Sequence, residues 1–149
     1  MGARRDILLM RWIFLAFLIA MGFSGSVLAE ERLIIIANSN VPVEQLSEAE
    51  IKRIFLLKKT TWKNGSQIIP VNREAASSAR VRFSGDVLGV SIRSLSNYWN
   101  QMQFKGHMPP VVQESNAAMI AFVQNVPGAI GYIHAEVMPD GVKILGEWQ

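Results

Sequence analysis

The sequence predicts an α/β fold: about five short strands interleaved with about four helices, forming a mostly parallel sheet with helices on both faces. Three observations lead there. Leu33-Ile34-Ile35-Ile36-Ala37 is a continuous apolar run, the pattern of a strand buried on both faces. Strand-like and helix-like segments alternate after it, the order that builds parallel sheets under helices. No internal repeat, low-complexity tract or linker interrupts residues 30–149, so they form one domain.

The elements follow in chain order. After the first strand, Asn38-Ser39-Asn40-Val41-Pro42 breaks regularity. Ser47-Glu48-Ala49-Glu50 is a capping box, with Leu46 and Ile51 placed for a hydrophobic staple. Ile51, Ile54 and Phe55 make one apolar face, which predicts a helix over about 48–56. Trp62-Lys63-Asn64-Gly65 reads as a turn before a strand at 67–71. Ala76, Ala79, Phe83 and Val87 carry a helix to about Leu88, and Val90-Ser91 starts another. In that one Ile92, Leu95, Trp99 and Met102 recur at core spacing.

Gly106–Pro110 is a loop, and Val111-Val112 a short strand. Ser115 caps a helix that Asn125-Val126-Pro127-Gly128 ends. Ala129–Ile133 is a strand, Pro139-Asp140-Gly141 a turn, and Val142–Leu145 the last strand. The connection before that last strand is short for a parallel crossover, so it is expected to be antiparallel.

Residues 1–29 read as a cleaved secretory signal. Arg4, Arg5 and Arg11 precede an apolar run from Trp12 to Phe23, and Val27 and Ala29 suit cleavage after Ala29. The competing reading is an uncleaved anchor, against which the run falls short of the roughly 20 apolar residues of a spanning helix. The expected location is the periplasm, with no stable membrane anchor after cleavage. The signal holds three of the 15 Lys and Arg and one of the 12 Asp and Glu, so residues 30–149 carry a net charge of only +1. No basic stripe survives, which argues against nucleic acid as a partner. Lys58, Lys59 and Lys63 read as a solvated face. The absence of cysteine excludes disulfides, thiol catalysis, zinc–thiolate sites and lipid attachment at an N-terminal cysteine.

The chemistry concentrates in Pro70-Val-Asn-Arg-Glu-Ala-Ala-Ser-Ser-Ala-Arg80, where a strand hands over to a helix. The first amides of a helix lack intrahelical partners and carry partial positive charge, so an oxyanion can dock there. Ser77 and Ser78 can add hydroxyl donors, the Ala79 amide a backbone donor, and Arg73 a bidentate clamp. The same residues also suit an ordinary helix start, serine being a preferred N-cap and Arg73 pairing with Glu74 or a nearby carboxylate.

Other side chains offer less. His107 and His134 lack metal-ligand spacing and read as exposed or capping residues. Glu48, Glu50 and Glu74 are explained by helix starts. Tyr98, Trp99 and Phe104 read as core, the alternative being a partner surface made with the Gly106–Pro110 loop. Trp62 carries the same ambiguity. No nucleophile elbow, zinc-protease helix or nucleotide loop is present, and no metal or cofactor is expected.

Several segments together resemble the phosphate ABC-transporter substrate-binding family. I-I-I-A-N-S-N-V-P-V resembles the strand by which that family's chain enters its second lobe. L-S-E-A-E-I-K-R-I-F-L-L-K-K-T-T-W-K-N-G resembles its next helix and turn, V-N-R-E-A-A-S-S-A-R-V-R-F its phosphate segment, and V-P-G-A-I-G-Y-I its late strand. The order and spacing agree over about residues 32–146. The resemblance implies a type II periplasmic-binding-protein fold, present as a single second lobe. Arg73 and Ser77 then match phosphate ligands. Ser78 stands where the family has glycine, Ala79 where it has a ligand threonine, and Leu57 where it has the glycine of I-F-x-G-K. The family closes two lobes on its ligand, and the first lobe's glycine- and serine-rich loop is not found here.

The expectation is an exported, non-enzymatic protein that binds an oxyanion, inorganic phosphate first, with an ABC permease or another periplasmic protein as partner. The alternative is a periplasmic interaction or sensory module that keeps the fold and has lost tight anion binding.

Overall fold

The computed structural model of the protein describes residues 32–135 and 138–148. The expected signal and the boundary at residue 29 lie outside them. The strands are β1 (Arg32–Ala37), β2 (Ile69–Arg73), β3 (Val111–Gln113), β4 (Ala129–Ala135) and β5 (Lys143–Trp148). The helices are α1 (Glu48–Phe55), α2 (Ser78–Arg82), α3 (Ile92–Phe104) and α4 (Asn116–Asn125). A π-helical turn, Phe83–Val87, prolongs α2. The strands form one sheet in the order β3-β2-β4-β1-β5.

The α/β class and the five strands agree with the sequence, but the sheet is mixed rather than mostly parallel. β2 runs parallel to β3 and β4, whereas β1 runs antiparallel to both β4 and β5. The apolar run at 33–37 reports burial on both faces, and a central strand has that whatever its direction. Leu33, Ile35 and Ala37 enter one core, while Ile34 and Ile36 enter the other. β5 pairs antiparallel with β1, but the short connection does not make it antiparallel to β4, because the chain passes over β1 instead of turning back beside β4. β4 and β5 flank β1 and therefore run in the same direction.

The two cores are unequal. On one face α1, α2 with its π turn, and α3 bury Ile51, Ile54, Phe55, Phe83, Leu95 and Trp99 against the sheet. On the other, α4 alone packs Met119 and Val123 against Val71, Ala129 and Ile133. The approach of α4 requires Gly131 in β4, since a Cβ there would stand 2.3 Å from Met119 Sδ.

Local chemistry explains the element ends. The capping box at Ser47 and Glu50 forms in both directions. α1 ends in paired bonds from Leu57 N to Ile54 O and from Lys58 N to Arg53 O, with Leu57 at φ 55°. That left-handed position is usually glycine. The turn expected at 62–65 forms, and Gln67 bridges back to Thr61 while the Ile68 amide bonds Thr60 O. Residues 67–68 are thereby drawn out of β2, which begins at Ile69 rather than 67. Pro70 is tolerated inside this inner strand because β3 pairs only from Val71 onward. Its missing N–H falls where no neighbour waits.

Two side chains depart from expectation. Phe104 is 94% exposed instead of core, because α3 ends there and no element among the described residues covers its tip. Met108, Val111 and Val112 nearby are exposed too. His134 is 8% exposed instead of a surface or capping residue, because it lies within β4. Trp62 and Trp99 are both buried, which favours the core reading of each.

Candidate oxyanion site at the end of strand β2

β2 ends at Arg73, and α2 starts at Ser78 after four intervening residues. The handover opens a cleft of about 230 Å³ lined by Arg73, Ser77, Ser78, Ala79, Asn116 and His134. All four residues singled out in the sequence therefore meet at one cleft. It lies beyond the C-terminal end of a parallel strand, where open α/β sheets place ligands.

Tyr132 fixes the position of the strand end. The β2–β4 ladder stops at Pro70 and Ile130. Beyond it the Tyr132 hydroxyl accepts the Arg73 amide at 3.1 Å and donates to Asn72 Oδ1 at 3.2 Å. Its ring stacks on Phe83 with centroids 3.9 Å apart, and Phe55 meets Phe83 edge-on at 4.6 Å. Burial pushes the phenol up, opposed in part by Arg80. The residue thus stays a neutral donor and acceptor.

Arg73 is largely engaged. Its Nε and Nη2 donate to the two carboxylate oxygens of Glu74, each at 3.1 Å. Nη2 also donates to Glu114 O at 3.3 Å, and Nη1 donates to Asn116 Oδ1. Four of the five guanidinium N–H groups are used. The Arg73 guanidinium in turn holds the Glu74 carboxyl below its ordinary range.

Ser77 caps α2. Its Oγ accepts the Arg80 amide at 3.1 Å and donates to Glu74 O at 3.0 Å. The amides of Ser78 and Ala79, at the first two helical positions, have no intrahelical partner. Ser78 is exposed, and its Oγ lies 3.4 Å from His134 Nδ1.

The sequence pointed to Arg73, Ser77, Ser78 and Ala79 and missed Asn116 and His134. Asn116 follows the Ser115 cap, and its side chain bridges Arg73 to the His134 carbonyl. Its place just after a third strand end was the available signal. His134 had none, since its burial depends on strands distant in sequence. Among the described residues, no group of three or more His, Asp or Glu side chains could hold a metal, and no helix is long and apolar enough to cross a membrane.

No family model matches the chain. Solved structures do. An ABC-type phosphate transport receptor from Vibrio cholerae matches at 26% identity and a TM-score of 0.61, over 77% of this chain and 45% of that one. A putative phosphate ABC transporter substrate-binding protein from Clostridium perfringens, with bound phosphate, matches at 25% identity and a TM-score of 0.62, with the same coverage. PstS from Borrelia burgdorferi, at 19% identity and a TM-score of 0.57, shares the fold. The chain is distantly homologous to phosphate ABC-transporter substrate-binding proteins. It spans less than half the length of each of these three structures. The homology is to binding components of transporters rather than to catalysts.

Proposed function

We propose that this protein is an exported oxyanion-binding protein, with inorganic phosphate as its first ligand and a permease or another periplasmic protein as its partner. The observation that carries the reading is the convergence of Arg73, Ser77, Ser78 and Ala79 on one polar cleft, in a chain homologous to phosphate-binding transport components. Serine hydroxyls, two helix-start amides and a guanidinium are the donors a tetrahedral oxyanion needs. The cleft is open, so each contact works against a high local dielectric and affinity is modest.

Thermal unfolding with phosphate, sulfate and ionic-strength-matched chloride tests the reading. A ligand at about 100 times its Kd stabilises by about 2.7 kcal/mol. A saturable phosphate shift that Arg73→Ala abolishes supports it, and no shift up to millimolar phosphate overturns it.

A second reading is favoured by a different observation. Phe104, Met108, Val111 and Val112, from the end of α3 to the edge strand β3, are exposed apolar side chains. Exposed apolar side chains here suit an interaction or sensory module that keeps the fold without tight anion binding. A partner recovered from periplasmic extract by the native protein, but not by Phe104→Ser, would favour it over transport.

A further inference from the structure

We infer that Arg80 is the residue whose charge an oxyanion neutralises on entering the cleft, because Arg73 is already neutralised by Glu74. The inference rests on the anion-binding reading and names a residue that reading does not contain.

Arg80 sits in the first turn of α2, three residues after Ser77, and is only 9% exposed. Its Nε is buried without a hydrogen-bond partner. Its guanidinium makes one bond, from Nη1 to the Tyr132 hydroxyl, at 3.3 Å. That hydroxyl also accepts the Arg73 amide at 3.1 Å. One oxygen therefore separates the Arg80 guanidinium from the backbone of a cleft-lining residue.

No carboxylate lies at ion-pair distance from Arg80 among the described residues. Glu74 is engaged by Arg73, and Asp86 by Arg82. Tyr132 is a neutral phenol, and a guanidinium does not give up its proton. The result is a permanent cation withdrawn from water with no counter-charge, an arrangement proteins rarely hold without a reason. An oxyanion in the cleft supplies the missing negative charge. Arg80 does not itself line the cleft; it stands behind Tyr132 and acts on the anion as a buried charge, which Glu74 does not cancel as it does that of Arg73.

The test is chemical denaturation of the purified native protein, Arg80→Met and Arg73→Ala, each titrated with inorganic phosphate against matched chloride. Arg80→Met removes the charge while Tyr132 keeps its bonds to Arg73 and Asn72. The expected result is an Arg80→Met midpoint equal to or above the native one without phosphate, and half-saturation at tenfold or more higher phosphate. Native half-saturation in Arg80→Met, with the response lost in Arg73→Ala, overturns the role of Arg80 and leaves the anion-binding reading intact. No phosphate response in the native protein overturns both. Should Arg80→Met not fold, Arg80→Gln, which retains a donor for Tyr132, gives the same comparison.

Discussion

Glu74 grips the residue before it: its two carboxylate oxygens accept from Arg73 Nε and Nη2, each at 3.1 Å. A carboxylate so placed repels an incoming anion and competes with it for the same donors. Glu74→Gln should tighten phosphate binding about tenfold, about 1.4 kcal/mol. Calorimetric titration of the variant measures this. An unchanged affinity would remove Arg73 from the ligand set.

Acid should weaken the fold partly through Glu50. The Lys59 ammonium, 3.0 Å away, holds that carboxyl below its ordinary value of 4.5, helped by the Ser47 cap and opposed by desolvation. A folded-state pKa below the unfolded one gives stability that is present above 4.5 and lost as pH falls through the lower folded value. The pair is half-buried at the surface and its Glu50 side chain stays over a third exposed, so the contribution is small and screened by salt. Lys59→Met should shrink the drop in urea midpoint between neutral pH and about pH 3. An identical drop would show that the pair does not contribute.

Tyr132→Phe keeps the ring that stacks on Phe83 and removes the oxygen shared by Asn72, Arg73 and Arg80. Leaving buried partners unsatisfied should cost about 1–3 kcal/mol. Phe83→Ala removes the ring itself and should cost about 3–5 kcal/mol. Urea denaturation of both variants checks the ranking, and a harmless Tyr132→Phe would show that water replaces the hydroxyl.

Two glycines should respond differently to alanine. At Gly128, φ is 79° and a Cβ would stand 2.2 Å from the Gln67 carbonyl oxygen, so both conformation and backbone resist it. At Gly131 the obstacle is the thioether of Met119, which can move. Gly131→Ala should cost about 1–3 kcal/mol by overpacking, and Gly128→Ala more than that. Equal midpoints for the two variants would contradict this account.

What the sequence revealed was local. Ser47 and Ser115 cap the helices they were expected to cap, because a cap is written within four residues. The cleft residues Arg73, Ser77, Ser78 and Ala79 were legible for the same reason: a strand end and a helix start lie side by side in the chain. Leu57 adds a finer case. It stands where the resembling family has glycine, and its φ of 55° is an angle glycine adopts without strain.

What the sequence concealed was set by distant pairing. An apolar run does not encode strand direction, so β1 could not be told from a parallel strand. His134 is buried because strands distant in sequence enclose β4, and Phe104 is bare because none of the described elements returns to cover it. The Arg73–Glu74 pair was visible as a possibility. Its capture of the guanidinium depended on where Asn116 and the Glu114 carbonyl came to rest.

The strand order also dictates a timetable. β1 lies between β4 and β5, so residue 32 is bonded to residue 147 across 115 positions of chain. Closing a long loop comes before β1 can pair with β4 or β5. On the ribosome β1 must wait for β4 and β5. A transcript or protease that cuts the chain before residue 129 leaves α1 and the serine cleft's strand with no sheet centre to fold against. Such fragments should be cleared rather than accumulate as half-working pieces.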